Sequence, residues 1–456
     1  MEKSEIVIVG GSAAGLTAAI TARRHYPEKT IRVIRQEDLV LIPCGIPYIF
    51  GTLGSCQMNV IPDAALAKNA CDLTVDEVVG IDREKKVVHT KGGTDVAYEK
   101  LVLATGSVPV VPPLPGTDLG NIFAIRKDVA YLEQLQAALA KASNLLIVGC
   151  GFIGVELAEE CQKLGNLNIK IVEMLRHCLQ LTYDNEFSLK AEEELAAQNI
   201  EILTAEKVEG FLGDKAVQQV KLSSGKTLDV DLVIMGIGAR ANTKLATDAG
   251  LETGPTRVIA VNRYMQTTDP DIFACGDCAE KVSFFDGQPS GLKLASIATM
   301  EARIAGANLF GPRRANMGVI GVYSTILGDT AFCAAGLTEN AARDKGFNVV
   351  TGVAEAVNRH PGCMAGGKPL KVKLIFEAGT RVLLGGQVSG AKSAGELING
   401  ISACIHQRMT ADDIATFQTG THPGLTASPI AYQLVNAAEV AIANSWKLSS
   451  RWERPA

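Results

Sequence analysis

Apolar residues along the chain fall into runs of different period. Glu5-Ile-Val-Ile-Val9, Asn144-Leu-Leu-Ile-Val148 and Ile169-Lys-Ile-Val172 are short and almost continuously apolar, as parallel strands covered on both faces are. Thr30–Ile34, Leu101–Ala104 and Asp271–Ala274 read the same way. A helical stretch follows the first of them, Glu5–Val9, through about Arg24. Towards the carboxyl end the period changes. Lys371-Val-Lys-Leu-Ile-Phe376 and Arg381-Val-Leu-Leu-Gly-Gly386 alternate about a turn at Ala378-Gly379, which predicts an antiparallel pair. Ala431–Ile442 carries an apolar stripe at helical spacing. The pattern predicts an α/β protein with a separate α+β segment at its end.

Length and composition narrow this. A chain of 456 residues exceeds what one core supports and implies about three domains. The 47% hydrophobic content and 45 glycines suit tightly turned α/β units. A formal charge of -5 with no basic tract argues against nucleic-acid or anionic-membrane partners. The early apolar run Ile6–Ile20 is broken by Gly10, Gly11 and Gly15, so neither a signal peptide nor a membrane span is expected. Eleven cysteines at irregular spacing fit a reducing cytoplasm better than a disulfide framework.

Two stretches carry a dinucleotide pattern. After the first strand comes Gly10-Gly11-Ser12-Ala13-Ala14-Gly15, where glycines permit a tight bend and close approach of a pyrophosphate to a helix N-terminus. Ser12 replaces the middle glycine. The second strand ends at Arg35, with Glu37 and Asp38 beyond it, so the side chain that takes the ribose hydroxyl is open. The second copy, Gly149-Cys150-Gly151-Phe152-Ile153-Gly154-Val155-Glu156, has every glycine. Glu173 lies nineteen residues after Gly154, where a carboxylate accepts the 2′-hydroxyl of NAD and repels a 2′-phosphate. That favours NADH, while Arg176 and His177 nearby keep NADPH open. Two such folds in one chain imply a nicotinamide paired with a flavin.

Between the two copies lies Leu41-Ile-Pro-Cys44-Gly-Ile-Pro-Tyr-Ile-Phe-Gly51. Its single cysteine stands between two prolines, and Gly45 lets main chain or a flat ligand approach the sulfur. A helix beginning at or just after Cys44 would favour the thiolate, the reactive form. Cys275-x-x-Cys278 invites a redox or metal reading, but Gly276 and Asp277 already account for a turn there and no second ligand pair accompanies it, so no metal is expected.

Taken together, these motifs resemble the FAD-dependent pyridine nucleotide-disulfide oxidoreductases over nearly the whole chain. Cys44-Gly45-Ile46-Pro47-Tyr48 points to the single-cysteine branch, which includes coenzyme A-disulfide reductases, NADH oxidases, NADH peroxidases and persulfide reductases. The two-cysteine branch needs a C-x4-C pair, and here Ile49 stands at the second position. The resemblance implies two Rossmann-like domains and a C-terminal dimerisation domain. Residues 1–113 and 248–326 would bind FAD, 114–247 would bind NAD(P)H, and 327–456 would form a homodimer. No rhodanese-like extension is expected after Ala456.

Carried over by position, Gly10 to Gly15 would hold the FAD pyrophosphate, with Arg35 or Glu37 at its ribose and Val78 at the adenine. Ala104, Thr105 and Gly106 would line the crossover; Arg126, Asp277, Leu294 and Ala295 would surround the ribityl chain and isoalloxazine. Gly149, Gly151, Phe152, Ile153, Gly154, Glu173 and Gly238 would bind NADH, with Glu156 at the nicotinamide. Arg24 falls where coenzyme A-disulfide reductases contact coenzyme A. The chain departs from these relatives at Arg359–Met364 and Thr419–Gly424, which lack their tyrosines. Thr421-His422-Pro423 instead resembles the histidine-proline turn of the two-cysteine branch, making His422 a candidate acid/base and Cys363 a candidate resolving thiol.

The implied activity is electron transfer from NAD(P)H through flavin to Cys44, and on to a low-molecular-weight disulfide or persulfide. The alternatives are an NADH oxidase or peroxidase acting on oxygen species and, from another class, a flavin electron-transfer partner or redox sensor.

Overall fold

The computed structural model describes residues 1–452, with side chains to 447. The chain divides into two compact units, Met1–Ala142 with Ile237–Val319, and Ser143–Gly236 with Ile320–Ala456.

The first unit is built on a parallel sheet of five strands, in the order Ile272–Ala274, Lys100–Leu103, Ile6–Val9, Ile31–Arg35, Asp72–Val75. Ile6 to Val9 are buried throughout, as the continuous apolar run requires of a central strand. Helix Ala13–His25 packs on helix Ala295–Asn308, both rich in small residues; a Cβ at Gly306 would crowd the Ala18 carbonyl oxygen. A second, four-stranded sheet joins Glu2–Lys3, Asp95–Ala97, Val87–Thr90 and Val78–Asp82.

The second unit repeats the first motif. Strands Leu232–Met235, Asn144–Val148, Asn168–Val172 and Ile200–Leu203 pair in that order, all parallel. An antiparallel sheet of five follows, ordered Val322–Leu327, Thr330–Gly336, Leu383–Gly390, Pro369–Glu377, Val349–Val357. The predicted hairpin is there, its strands three and two residues longer than the alternation showed, and Arg381 takes a left-handed φ of 58° in the turn. Helix Gln433–Trp452 lies on this sheet, running ten residues beyond the predicted stripe. Among the described residues no helix is long and apolar enough to cross a membrane, and no cluster of His, Cys, Asp or Glu could hold a metal ion.

Candidate active site

Four sequence motifs leave the carboxyl ends of adjacent strands of the first parallel sheet. Gly10–Gly15 follows Ile6–Val9, the Cys44 segment follows Ile31–Arg35, Thr105-Gly106 follows Lys100–Leu103, and Gly276-Asp277 follows Ile272–Ala274. In open α/β sheets the ligand crevice lies outside those ends, where neighbouring connections turn to opposite faces. The fold therefore gathers on one edge what the sequence spreads over 270 residues.

The two glycine turns are near copies. Gly10 has a φ of 112° and Gly149 of 101°, and their N–H groups donate to Ile34 and Val172 carbonyls at 2.9 and 2.8 Å. A Cβ at Gly15 would strike the Gly10 carbonyl oxygen, and one at Gly154 the Gly149 carbonyl oxygen. Only glycine lets each helix start so close to its strand. Nothing lies within 4 Å of a Cβ placed on Gly151, so the helix Phe152–Gln162 begins facing open space. Ser12 caps helix Ala13–His25 by position without a side-chain hydrogen bond, leaving its hydroxyl for another acceptor. The residues present fit a dinucleotide pyrophosphate at both turns.

Around the first turn the acids and bases sort themselves. Arg35 is buried, its guanidinium taken by Asp63 and the Glu37 and Asp38 carbonyls, and its stem is pressed against Gly11. Glu37 is half-buried and receives only Gln36 Nε2 at 3.2 Å. Thr105 Oγ1 donates to the Asn242 carbonyl at 2.6 Å, and Ser107 Oγ donates to Asp277 Oδ2 at 2.7 Å. Ala104 is buried and Gly106 has a φ of 68°. Val78 opens a strand half-buried, and Gly238 accepts from Val110 N–H at 2.9 Å. Arg126 is exposed with its guanidinium carbon 4.8 Å from the Tyr131 ring centre. Leu294 and Ala295 start helix Ala295–Asn308.

Cys44 is exposed. No α-helix starts there: Pro43–Gly45 and Pro47–Phe50 are two single 3-10 turns, and Pro47 lacks the N–H that a helix begun at Pro43 would need to bond the Pro43 carbonyl. The support for this segment is Asn59, which no sequence signal marks. It is 2% exposed, donates to the Ile42 carbonyl at 2.9 Å, and lies where any side chain at position 45 would be. That contact, rather than ligand approach alone, requires Gly45. Arg23 and Arg24 separate cleanly: Arg23 donates to the carbonyls of Pro27, Lys29, Asn69 and Ala70 beyond its helix, whereas Arg24 is exposed.

Beneath Asp277 a buried ion pair joins Lys281 Nζ and Glu301 Oε2 at 3.1 Å, and Gly276 N–H donates to the same carboxylate. Sequence reasoning missed both residues: Lys281 lies four positions after the predicted Asp277 and Glu301 six after the predicted Ala295. Cys275 and Cys278 are buried free thiols, their protons held more tightly by desolvation. A cavity of about 410 Å³ opens beside Asp277, lined in part by Arg240, Arg257, Lys281 and Lys293.

In the second unit Glu173 spends both oxygens on backbone, Oε2 on Cys150 N–H at 2.7 Å and Oε1 on Leu175 N–H at 2.8 Å. Each oxygen keeps a lone pair for a ribose hydroxyl. Glu156 accepts from Thr325 Oγ1 at 2.9 Å, and desolvation pushes its carboxyl up to about 7. Phe152 stacks on Tyr323 at 5.2 Å between ring centres, while Ile153 is exposed. His422 is exposed, and its Nδ1 accepts from Gly424 N–H at 3.1 Å, so the ring proton belongs on Nε2. His360 N–H donates to the Pro423 carbonyl at 3.2 Å, tying the two tyrosine-free loops together.

One finding departs from the expected cysteine chemistry. Cys150 and Cys178 form a disulfide, across a sequence separation of 28 and a Cα distance of 4.8 Å. Irregular spacing hid it, since the pair meets only because the chain after Glu173 folds back over the glycine turn.

A family model described as pyridine nucleotide-disulphide oxidoreductase matches residues 4–302. The chain belongs to that family. A dimerisation-domain model of the same oxidoreductases matches residues 322–432. As an oxidoreductase of this family, the chain draws electrons from NAD(P)H and uses FAD. A protein named NADH oxidase from Methanocaldococcus jannaschii is 32% identical over 90% of this chain and 93% of its own length. An NAD(P)H sulfur oxidoreductase (CoA-dependent) from Pyrococcus furiosus is 32% identical over 86% and 89% respectively. Among solved structures, an NAD-dependent persulfide reductase from A. fulgidus superposes with a TM-score of 0.90 at 28% identity, covering 97% of this chain and 84% of that one.

Proposed function

We propose that this oxidoreductase reduces a low-molecular-weight disulfide or persulfide, with Cys44 as its redox-active sulfur. The observation that carries this is exposure. Nine cysteines are free, and only Cys44 and Cys363 reach solvent; of these Cys44 alone sits on the carboxyl edge of the first parallel sheet. The buried thiols are unsuited to attack, since desolvation keeps them protonated, Cys161 up to about 12.

FAD, when bound, supplies the two-electron relay between nicotinamide and sulfur. Gly10 to Gly15 and Asp277 orient it, Glu37 is free to take its ribose, and Val78, Ala104, Thr105, Gly106, Arg126, Leu294 and Ala295 line its path. Gly149, Gly151, Gly154 and Glu173 would seat the nicotinamide dinucleotide, Phe152, Ile153 and Glu156 would serve its reactive end, and the Glu173 carboxylate would disfavour a 2′-phosphate. The Cys44 thiolate attacks a substrate sulfur, breaking the S–S bond and expelling one thiolate, which takes up a proton. An electron pair delivered to the mixed disulfide frees the second thiol and restores Cys44. His422, exposed and with Nδ1 occupied by Gly424 N–H, is suited to protonate a leaving thiolate in a homodimer formed through the C-terminal domain. Arg24 is the exposed cation suited to a coenzyme A phosphate. Cytoplasmic residence belongs to the same reading.

An NADH oxidase or peroxidase is the second reading, favoured by the M. jannaschii relative; there Cys44 cycles through sulfenic acid. Cys44→Ser should abolish NADH-dependent reduction of coenzyme A disulfide and polysulfide while retaining flavin absorbance. Undiminished turnover would remove the sulfur from catalysis. Wild-type enzyme that turns over oxygen or peroxide far faster than either sulfur substrate would instead support the oxidase reading.

A further inference from the structure

The structure assigns a second redox site, the Cys150–Cys178 disulfide, and we infer that it controls how tightly the nicotinamide dinucleotide is held. Cys150 is the variable residue of the second glycine turn, flanked by Gly149 and Gly151. Cys178 lies in the segment just after Glu173. The bridge therefore joins the turn that receives the pyrophosphate to the loop beside the ribose-binding acid. Three hydrogen bonds cross the same gap or brace it. Glu173 Oε2 accepts Cys150 N–H at 2.7 Å, Leu179 N–H donates to the Cys150 carbonyl at 2.9 Å, and Cys178 N–H donates to Glu192 Oε1 at 2.8 Å.

With the bridge intact, Glu173 and the turn are held in register before any ligand arrives. A site ordered in advance loses less conformational freedom on binding. Without it, the loop from Met174 to Gln180 keeps only its hydrogen bonds and the burial of Cys178 and Leu179, while Met174 and Arg176 already face solvent. Reduction therefore weakens dinucleotide binding. By linkage, bound dinucleotide must protect the bridge to the same degree.

The chemistry is thiol–disulfide exchange with a low-molecular-weight thiol. A thiolate attacks Cys178 Sγ, the S–S bond breaks, and Cys150 leaves as thiolate and takes up a proton. A second thiol resolves the mixed disulfide, so two thiols become one disulfide and both cysteines end reduced. Cys150 is 1% and Cys178 0% exposed, so attack waits for the loop to open. The bridge is thus a slow switch. If the enzyme makes thiols, as proposed above, its own product is a reductant of the required class.

This inference rests on seating the dinucleotide at Gly149–Gly154, and the test separates the two. The Kd for NAD+ by calorimetry and the KM for NADH are measured on the FAD holoenzyme, air-oxidised and after prolonged treatment with a phosphine reductant. Reduction should raise both roughly five- to tenfold, with kcat within twofold, the split expected of lost binding order. NAD+ should slow the appearance of alkylatable Cys178. Cys178→Ala should bind weakly in either state and ignore the reductant. Equal affinities in the two states of the wild-type enzyme overturn the switch, as does recovery of separately alkylated Cys150 and Cys178 peptides from air-oxidised protein. If Glu173→Ala leaves NAD+ affinity unchanged, the seating itself is wrong.

Discussion

Glu156 shows how much one side chain can depend on its surroundings. From sequence it reads as an exposed first-turn helix acid, a favourable place for a negative charge, but the structure places it one turn further into helix Phe152–Gln162. In the structure desolvation outweighs that preference and the Thr325 hydrogen bond, and its carboxyl titrates near 7 against an ordinary 4.5. Below pH 4.5 folded and unfolded chains both hold the proton. Between 4.5 and 7 only the folded chain does, so stability declines as pH rises, and above 7 the penalty is complete. Glu156→Gln should therefore melt higher than wild type at pH 8, by about 2 kcal/mol, with the gap closing by pH 4. Thermal denaturation across that range tests it; a gap independent of pH would mean the carboxylate is not strained by burial. Residues of this kind were legible as positions but not as states. Gly149, Gly151 and Gly154 were readable because their spacing is local and sterically imposed. Asn59, Lys281, Glu301 and Cys178 were not, because each gains its role from a neighbour brought close only by folding.

Elements were more legible than residues, since burial on one face or two writes itself into the period. Strand Asn144–Val148 has the bounds its apolar run marks, and Ile31–Arg35 is displaced from its run by a single residue. Where a proline pair interrupts the pattern, as around Cys44, local chemistry overrode the expected helix. Packing between elements lies one level further from sequence. Gly352, in strand Val349–Val357, has the backbone of helix Gln433–Trp452 so close that a Cβ would meet the Ala437 carbonyl and lie 2.6 Å from Ala441 N. Gly400, exposed inside helix Ala394–His406, has nothing within 4 Å. The same change should thus have opposite signs. Gly352→Ala should destabilise by about 1–3 kcal/mol through overpacking, and Gly400→Ala should stabilise by roughly 0.5–1 kcal/mol through helix propensity. Denaturant melts of the two variants decide it, and a loss at both positions would show that dimer packing, not helix propensity, governs position 400.

At the scale of the molecule, what matters is how the nucleotide-binding half of the second unit is tied to its antiparallel sheet. Lys373, on strand Pro369–Glu377 with its side chain 7% exposed, reaches Asp184 at 2.9 Å, Glu186 at 2.8 Å and Glu339 at 3.0 Å. Gln387 completes the joint, accepting Asp184 N–H at 2.8 Å and donating to its carboxylate at 2.6 Å. Asp184 and Glu186 open the helix Asn185–Ala196 of the nucleotide-binding half; Lys373 and Gln387 belong to the sheet. One cation thus bridges three acids at the join. Lys373→Met keeps the apolar stem but leaves those carboxylates facing one another with Asp184 buried, a loss of about 3–5 kcal/mol. Lys373→Arg, which retains the charge, should lose less. The wild-type unit should unfold as one calorimetric transition and the Met variant as two, with the two moving back together as pH falls and the carboxylates protonate. A single transition in both proteins would show that apolar contact, not this ion cluster, makes the halves cooperative.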